Sequence, residues 1–78
     1  MSGLSIITGK DLCKILEKIG YIKDHQTGSH IILRNKKYPF RRLTIPNHKE
    51  IAKGTLRAII RQIGLSLNEF EKLVKHKK

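Results

Sequence analysis

YIKDHQTGSHIILRNKKYPFRRLTIP, residues 21–46, decides the fold of this 78-residue chain. The stretch divides at its turn-forming residues into three short runs. Tyr21 to His25 reads as a first strand, Gln26 to Ser29 as a turn and His30 to Arg34 as a second strand. Asn35-Lys36-Lys37 reads as the next turn and Tyr38 to Ile45 as a third strand. Pro39 suits an edge or the first positions of a strand, and Pro46 closes the run, because proline has no N–H to give to a central ladder.

Helical patterns lie on both sides of these strands. Thr8 is placed to cap a helix with Asp11 in its first turn, where the positive end of the helix dipole favours an anion. Leu12, Ile15, Leu16 and Ile19 then recur at helical spacing until Gly20 ends the run. After a polar loop, Asn47 to Lys53, Gly54-Thr55 start a second helix with Leu56, Ile59, Ile60 and Ile63 on one stripe, and Gly64 stops it. Ser66 and Glu69 form a capping box for a last short helix marked by Leu67, Phe70, Leu73 and Val74. A frayed basic tail is expected from about Lys75. The order helix, three strands, helix, helix predicts one α+β domain over residues 1–78, a three-stranded antiparallel sheet with its helices on one face. The other face is left to solvent as a working surface.

Strand alternation assigns side chains to those faces. His30, Ile32 and Arg34 share one side, while Ile31 and Leu33 share the side that packs under the helices. On the third strand, burying Leu43 and Ile45 together with Arg41's side sends Phe40, Arg42 and Thr44 to the open face. The expected surface carries a histidine, two arginines and an aromatic ring.

Composition restricts the function classes. A chain of this length holds one thin core, which excludes a two-domain enzyme. The single Cys13 cannot form an internal disulfide, so a reducing compartment, the cytoplasm by default, is expected. No apolar run approaches a membrane span, and Met1 to Thr8 lacks the pattern of a signal peptide, so a soluble, unprocessed protein is expected. The formal net charge is +11. Arg34, Lys36, Lys37, Arg41, Arg42, Lys49, Lys53, Arg57 and Arg61 are opposed between them only by Glu50, a basic stretch suited to phosphates or to an acidic partner protein. A basic amphipathic membrane helix fits less well, since these cations fall mostly on strands and turns.

His30 is the residue that can carry chemistry on such a surface. RNA brings its own nucleophile, the 2′-hydroxyl, so a minimal ribonuclease needs only a group that moves a proton and cations that stabilise charge gathering on phosphorus. Imidazole is the side chain whose ordinary titration lies nearest neutral pH. On residue pattern alone, catalysis and plain phosphate or partner binding account for His30 equally well. No metal or cofactor is expected: the six carboxylates have no ligand spacing, and Cys13 falls in the apolar stripe of the first helix. Ser29 either meets phosphate or shapes the turn after Gly28, and lacks the surroundings of a nucleophilic serine. His25 and His76 read as solvated, whereas His48 either bonds the start of the next helix or meets the scissile phosphate. Tyr38 and Phe40 can stack unpaired bases, core packing being the alternative, above all for Phe40.

Several of these pieces together resemble the HicA family of toxin ribonucleases. They are Gly28-Ser29-His30, the basic hairpin, Leu43-Thr44-Ile45-Pro46 with His48, Gly54-Thr55-Leu56-Arg57, and Ile63-Gly64-Leu65-Ser66 with Phe70. The resemblance covers roughly Lys10 to Val74. It implies a fold related to double-stranded-RNA-binding domains, cleavage of mRNA, a HicB-type antitoxin as inhibitory partner, and His30 as the catalytic histidine. The expected RNA-binding residues are Ser29, Arg34, Lys36, Lys37, Arg41, Arg42, Lys49, Lys53 and Arg57. A monomer when free and a hetero-complex with the antitoxin are expected. Where other members often carry a short Gly- or Asp-containing turn after the histidine strand, this chain has Asn35-Lys36-Lys37-Tyr38-Pro39-Phe40, a departure that bears on substrate preference. The competing function is a non-catalytic RNA-binding module of the double-stranded-RNA-binding type. Helix-based DNA binding lacks its pattern, a helix-turn-helix with a polar recognition face.

Overall fold

Thr8 starts the first helix as its hydroxyl suggests: Oγ1 accepts the Asp11 amide N–H at 2.9 Å, satisfying one donor that the first turn leaves free. The structure is a computed structural model that describes residues 7–75. Its elements are α1 (Gly9–Glu17), β1 (Tyr21–Thr27), β2 (His30–Asn35), β3 (Arg42–Pro46), α2 (Lys53–Gln62) and α3 (Leu67–Lys75). The strands form one antiparallel sheet in the order β1-β2-β3. The fold is therefore the expected α+β arrangement, compatible with the layout of double-stranded-RNA-binding domains. Met1 to Ile6, His76 and the rest of the basic tail lie outside the described residues.

The predicted alternation holds along β2 and β3. Ile31 and Leu33 on β2 and Leu43 and Ile45 on β3 are buried, and they pair as Ile31 with Ile45 and Leu33 with Leu43. His30 and Thr44 are exposed, and Ile32 and Arg34 are only partly covered. Against the buried face pack Leu12, Ile15 and Leu16 of α1, Leu56, Ile59 and Ile60 of α2, and Phe70 of α3, all in one core. Helical spacing on three helices and two-residue spacing on two strands thus converge on a single apolar layer. β1 contributes only Tyr21 to it, and the strand is exposed from Lys23 to Thr27.

Several boundaries differ from the sequence expectation, and the start of β3 matters for the site. β1 runs on to Thr27, which narrows the first turn to Gly28-Ser29. α2 starts at Lys53 rather than at Gly54-Thr55. β3 begins at Arg42 rather than Tyr38, so Pro39, Phe40 and Arg41 belong to a loop. Phe40 takes a positive φ of 59°, which breaks the alternation on which a place in the strand depends. The loop bonds to itself instead of extending the ladder: Phe40 N–H donates to the Lys37 carbonyl at 2.7 Å and Asn35 N–H to the Arg41 carbonyl at 2.9 Å.

The capping box of α3 forms in both directions. Ser66 N–H donates to Glu69 Oε1 at 2.8 Å, and Glu69 N–H donates to Ser66 Oγ at 3.1 Å. The Ser66 amide, then its hydroxyl, and more weakly Lys72 hold the Glu69 carboxyl below its ordinary value. A carboxyl depressed in the folded state stabilises above its unfolded value and loses that contribution as pH falls through the folded one. Ser66→Ala is expected to cost about 1 kcal/mol at neutral pH. The difference between wild type and Glu69→Gln should shrink as the pH drops below about 4, measured by urea unfolding.

Candidate active site

A two-residue turn positions His30. Gly28 supplies the positive φ, 57°, that the first central residue of such a hairpin turn calls for, and Thr27 pairs with His30 directly across it. His30 is therefore the first residue of β2, exposed at the end of the sheet, opposite Pro46 of β3.

Beyond Pro46 the chain is held by main-chain bonds. Asn47 N–H donates to the Ser29 carbonyl at 2.7 Å, Gly9 N–H to the His48 carbonyl at 2.9 Å, and Ile51 N–H to the Ile7 carbonyl at 3.1 Å. A Cβ on residue 9 would run into the Pro46 carbonyl oxygen, so glycine is what lets α1 approach the end of β3 this closely. Held in this way, His48 lines the same groove as His30. The groove, about 430 Å³, is completed by Thr44, Pro46, Glu50, Ala52 and Thr55. α2 begins at this groove, and its N-cap residue, Ala52, gives no side-chain hydrogen bond, which leaves amide N–H groups at the positive end of the helix dipole without a side-chain partner.

Farther along the open face, Arg34 lies opposite Arg42 across the ladder. The register shifts between Lys23 and His25, so Asp24 is an extra residue of β1. Its Oδ2 stands 3.8 Å from Arg42 Nη2 and 3.5 Å from His25 Nδ1. Two like charges facing each other across a sheet repel, and one carboxylate offsets only part of that, so this face retains an attraction for anions.

The expected RNA-binding residues do not gather in one place. Ser29 is exposed in the hairpin turn beside His30, and Arg34 and Arg42 share the open sheet face. Lys36, Lys37 and Arg41 ride on the β2–β3 loop with Tyr38 and Phe40. Lys49 and Lys53 are exposed on the segment leading into α2 and on its first residue. Arg57 lines a groove other than that of His30, with Arg61, Leu65 and Leu67.

Glu50 and Thr55 share the groove with both histidines, a placement the sequence did not signal, because it depends on the main-chain bonds between α1 and the segment after β3. The Asp24–Arg42 pair was equally hidden, since a strand bulge leaves no periodic mark. Cys13 is half-buried; burial first, then Glu17, pushes its thiol up, with Lys23 opposing, which disfavours a reactive thiolate. Among the described residues, no three His, Cys, Asp or Glu side chains converge as a metal site would require. Among the same residues, no helix is long and apolar enough to cross a membrane.

A family model described as the HicA toxin of bacterial toxin–antitoxin systems matches residues 9–65, well over half of the chain. No curated protein and no solved structure matches it. The matched residues span α1, the whole sheet, the His30–His48 groove and α2. With that coverage, the chain belongs to the HicA family of toxins of bacterial toxin–antitoxin systems.

Proposed function

We propose that the protein is a toxin endoribonuclease that cleaves mRNA without a metal ion, His30 acting as general base. The observation that carries this reading is the pairing of two exposed imidazoles, His30 and His48, on one groove. Neutral His30 takes the proton from a ribose 2′-hydroxyl, whose oxygen attacks the adjacent phosphorus. The bond from phosphorus to the 5′ oxygen breaks, and protonated His48 gives that leaving oxygen its proton. The products are a 2′,3′-cyclic phosphate and a 5′-hydroxyl end. Arg34 and Arg42 on the open face, with Ser29, Lys49, Lys53 and the N–H groups that begin α2, supply the positive surroundings for the phosphates. Lys36, Lys37, Arg41 and Arg57 extend the contact to flanking nucleotides. In this reading the toxin works in the cytoplasm, is a monomer when free, and is silenced by a HicB-type antitoxin that covers the groove in a hetero-complex.

The test uses purified toxin, a single-stranded RNA and excess EDTA. Cleavage should persist, leaving cyclic phosphate ends; loss on chelation with recovery on added magnesium would overturn the metal-free mechanism. A substrate with sulfur in place of the leaving 5′ oxygen separates the two histidines, because a thiolate leaves without a proton. His48→Ala should lose about 10²-fold or more on ordinary RNA and recover most of it on the sulfur substrate, whereas His30→Ala should be rescued on neither.

A further inference from the structure

The β2–β3 loop exposes aromatic surface that the core does not use. Tyr38 is 85% exposed and Phe40 48%, and their rings meet edge to face with centroids 5.9 Å apart and planes at 88°. Phe40 holds its outward position with a φ of 59°, a conformation bulky side chains rarely adopt. Short bonds brace the loop around it: Lys37 N–H donates to Asn35 Oδ1 at 2.9 Å and Lys36 N–H to the Gly20 carbonyl at 2.9 Å, besides the Phe40–Lys37 and Asn35–Arg41 bonds. A hollow of about 180 Å³ beside Tyr38 is lined in part by Ile19, Tyr21, Lys37 and Arg41.

We propose that this loop is a stacking site for an unpaired RNA base, and that the substrate is therefore a single strand rather than a duplex. The inference rests on the ribonuclease reading and names the form of RNA that the site takes. Aromatic faces stack on any base, but only on one free of a helix, since the bases inside a duplex already cover each other's faces. An edge-to-face pair leaves a ring face open to a third ring. The cations around the pair, Lys36, Lys37 and Arg41, have no carboxylate among residues 36–41 to offset them, which suits a polyanion better than an apolar protein anchor. β3 runs four residue steps from Arg42 to Pro46, about 13 Å. The loop and His30 thus stand at opposite ends of one strand, a separation that a few nucleotides of extended RNA can span.

The experiment uses the His30→Ala protein, so that binding is read without cleavage. A fluorescein-labelled single-stranded oligoadenylate and a blunt RNA duplex of the same length are titrated by anisotropy, with intrinsic tyrosine emission as a second signal. The chain has no tryptophan, and of its two tyrosines Tyr21 is buried, so quenching reports on Tyr38. The single strand should quench that emission. Replacing both rings, Tyr38→Ala with Phe40→Ala, should weaken single-strand binding about tenfold or more and leave duplex binding unchanged, whereas Tyr38→Phe, which keeps both rings, should bind the single strand as before. Unchanged single-strand affinity, or an equal loss on duplex, overturns the stacking site. So does a loss confined to binding of the HicB-type antitoxin, which would make the pair a protein-docking surface. If the His30-containing toxin cuts no RNA while the double variant still loses single-strand affinity, catalysis fails and the stacking site stands.

Discussion

RNA cleavage by the purified toxin is expected to fall by about 10²–10⁴-fold in His30→Ala, the contribution of one well-placed proton-transfer group. The fold should not notice the change. His30 is exposed at the first position of β2, lies outside the apolar core, and pairs with Pro46 through a backbone that alanine reproduces. The unfolding free energy measured in urea should stay within about 0.5 kcal/mol of wild type, and affinity for RNA should largely survive, because the cations of the open face and of the β2–β3 loop remain. The binding-only function predicts otherwise: neither protein would cut RNA, and only lysine and arginine substitutions would alter its behaviour. Equal cleavage by wild type and His30→Ala would remove His30 from the mechanism and leave His48 to explain the activity.

Phe70→Ala is expected to produce the largest loss of stability. Phe70 is completely buried, the one fully buried residue of α3, and meets the core built by α1, the sheet and α2. Truncating a buried phenylalanine costs about 3–5 kcal/mol, while a domain of this length has roughly 4–12 kcal/mol in total. The variant should be partly unfolded at 37 °C and lose protection of the α3 amides in hydrogen exchange. Leu67→Ala, about half exposed at the first position of the same helix, should cost far less than the Phe70 change. α3 lies beyond the residues matched by the family model, so the pair of variants also tests whether the helix is part of the folding unit. A shift of less than about 1 kcal/mol for Phe70→Ala would mean that α3 is an appendage.

Much of the fold was legible because short-range signals agreed with one another. Thr8 with Asp11, and Ser66 with Glu69, are local hydrogen-bonding patterns that need no partner from elsewhere in the chain. The alternation at Ile31, Leu33, Leu43 and Ile45 follows from the geometry of a strand. β3 starts later than its residues suggest: Tyr38 and Phe40 are good strand residues, but Pro39 and the left-handed backbone of Phe40 outweigh that preference. The pairing of Asp24 with Arg42 carries no such signal, because a bulge has no periodicity to reveal it.

The amino-acid sequence alone determined the basic character of the molecule, which is a matter of composition, and the α+β layout and the place of His30 at the start of a strand with its side chain outward, which depend on spacing within a few residues. Only the tertiary structure decided which residues share the groove with His30. His48, Glu50 and Thr55 reach it because Gly9 lets α1 press against the end of β3, and because three backbone bonds bind the segment after β3 to α1's N-terminal end and the hairpin turn. The three bonds join residues far apart in the chain through main-chain atoms common to every amino acid, so apart from the missing Cβ of Gly9 side-chain identity carries no mark of them.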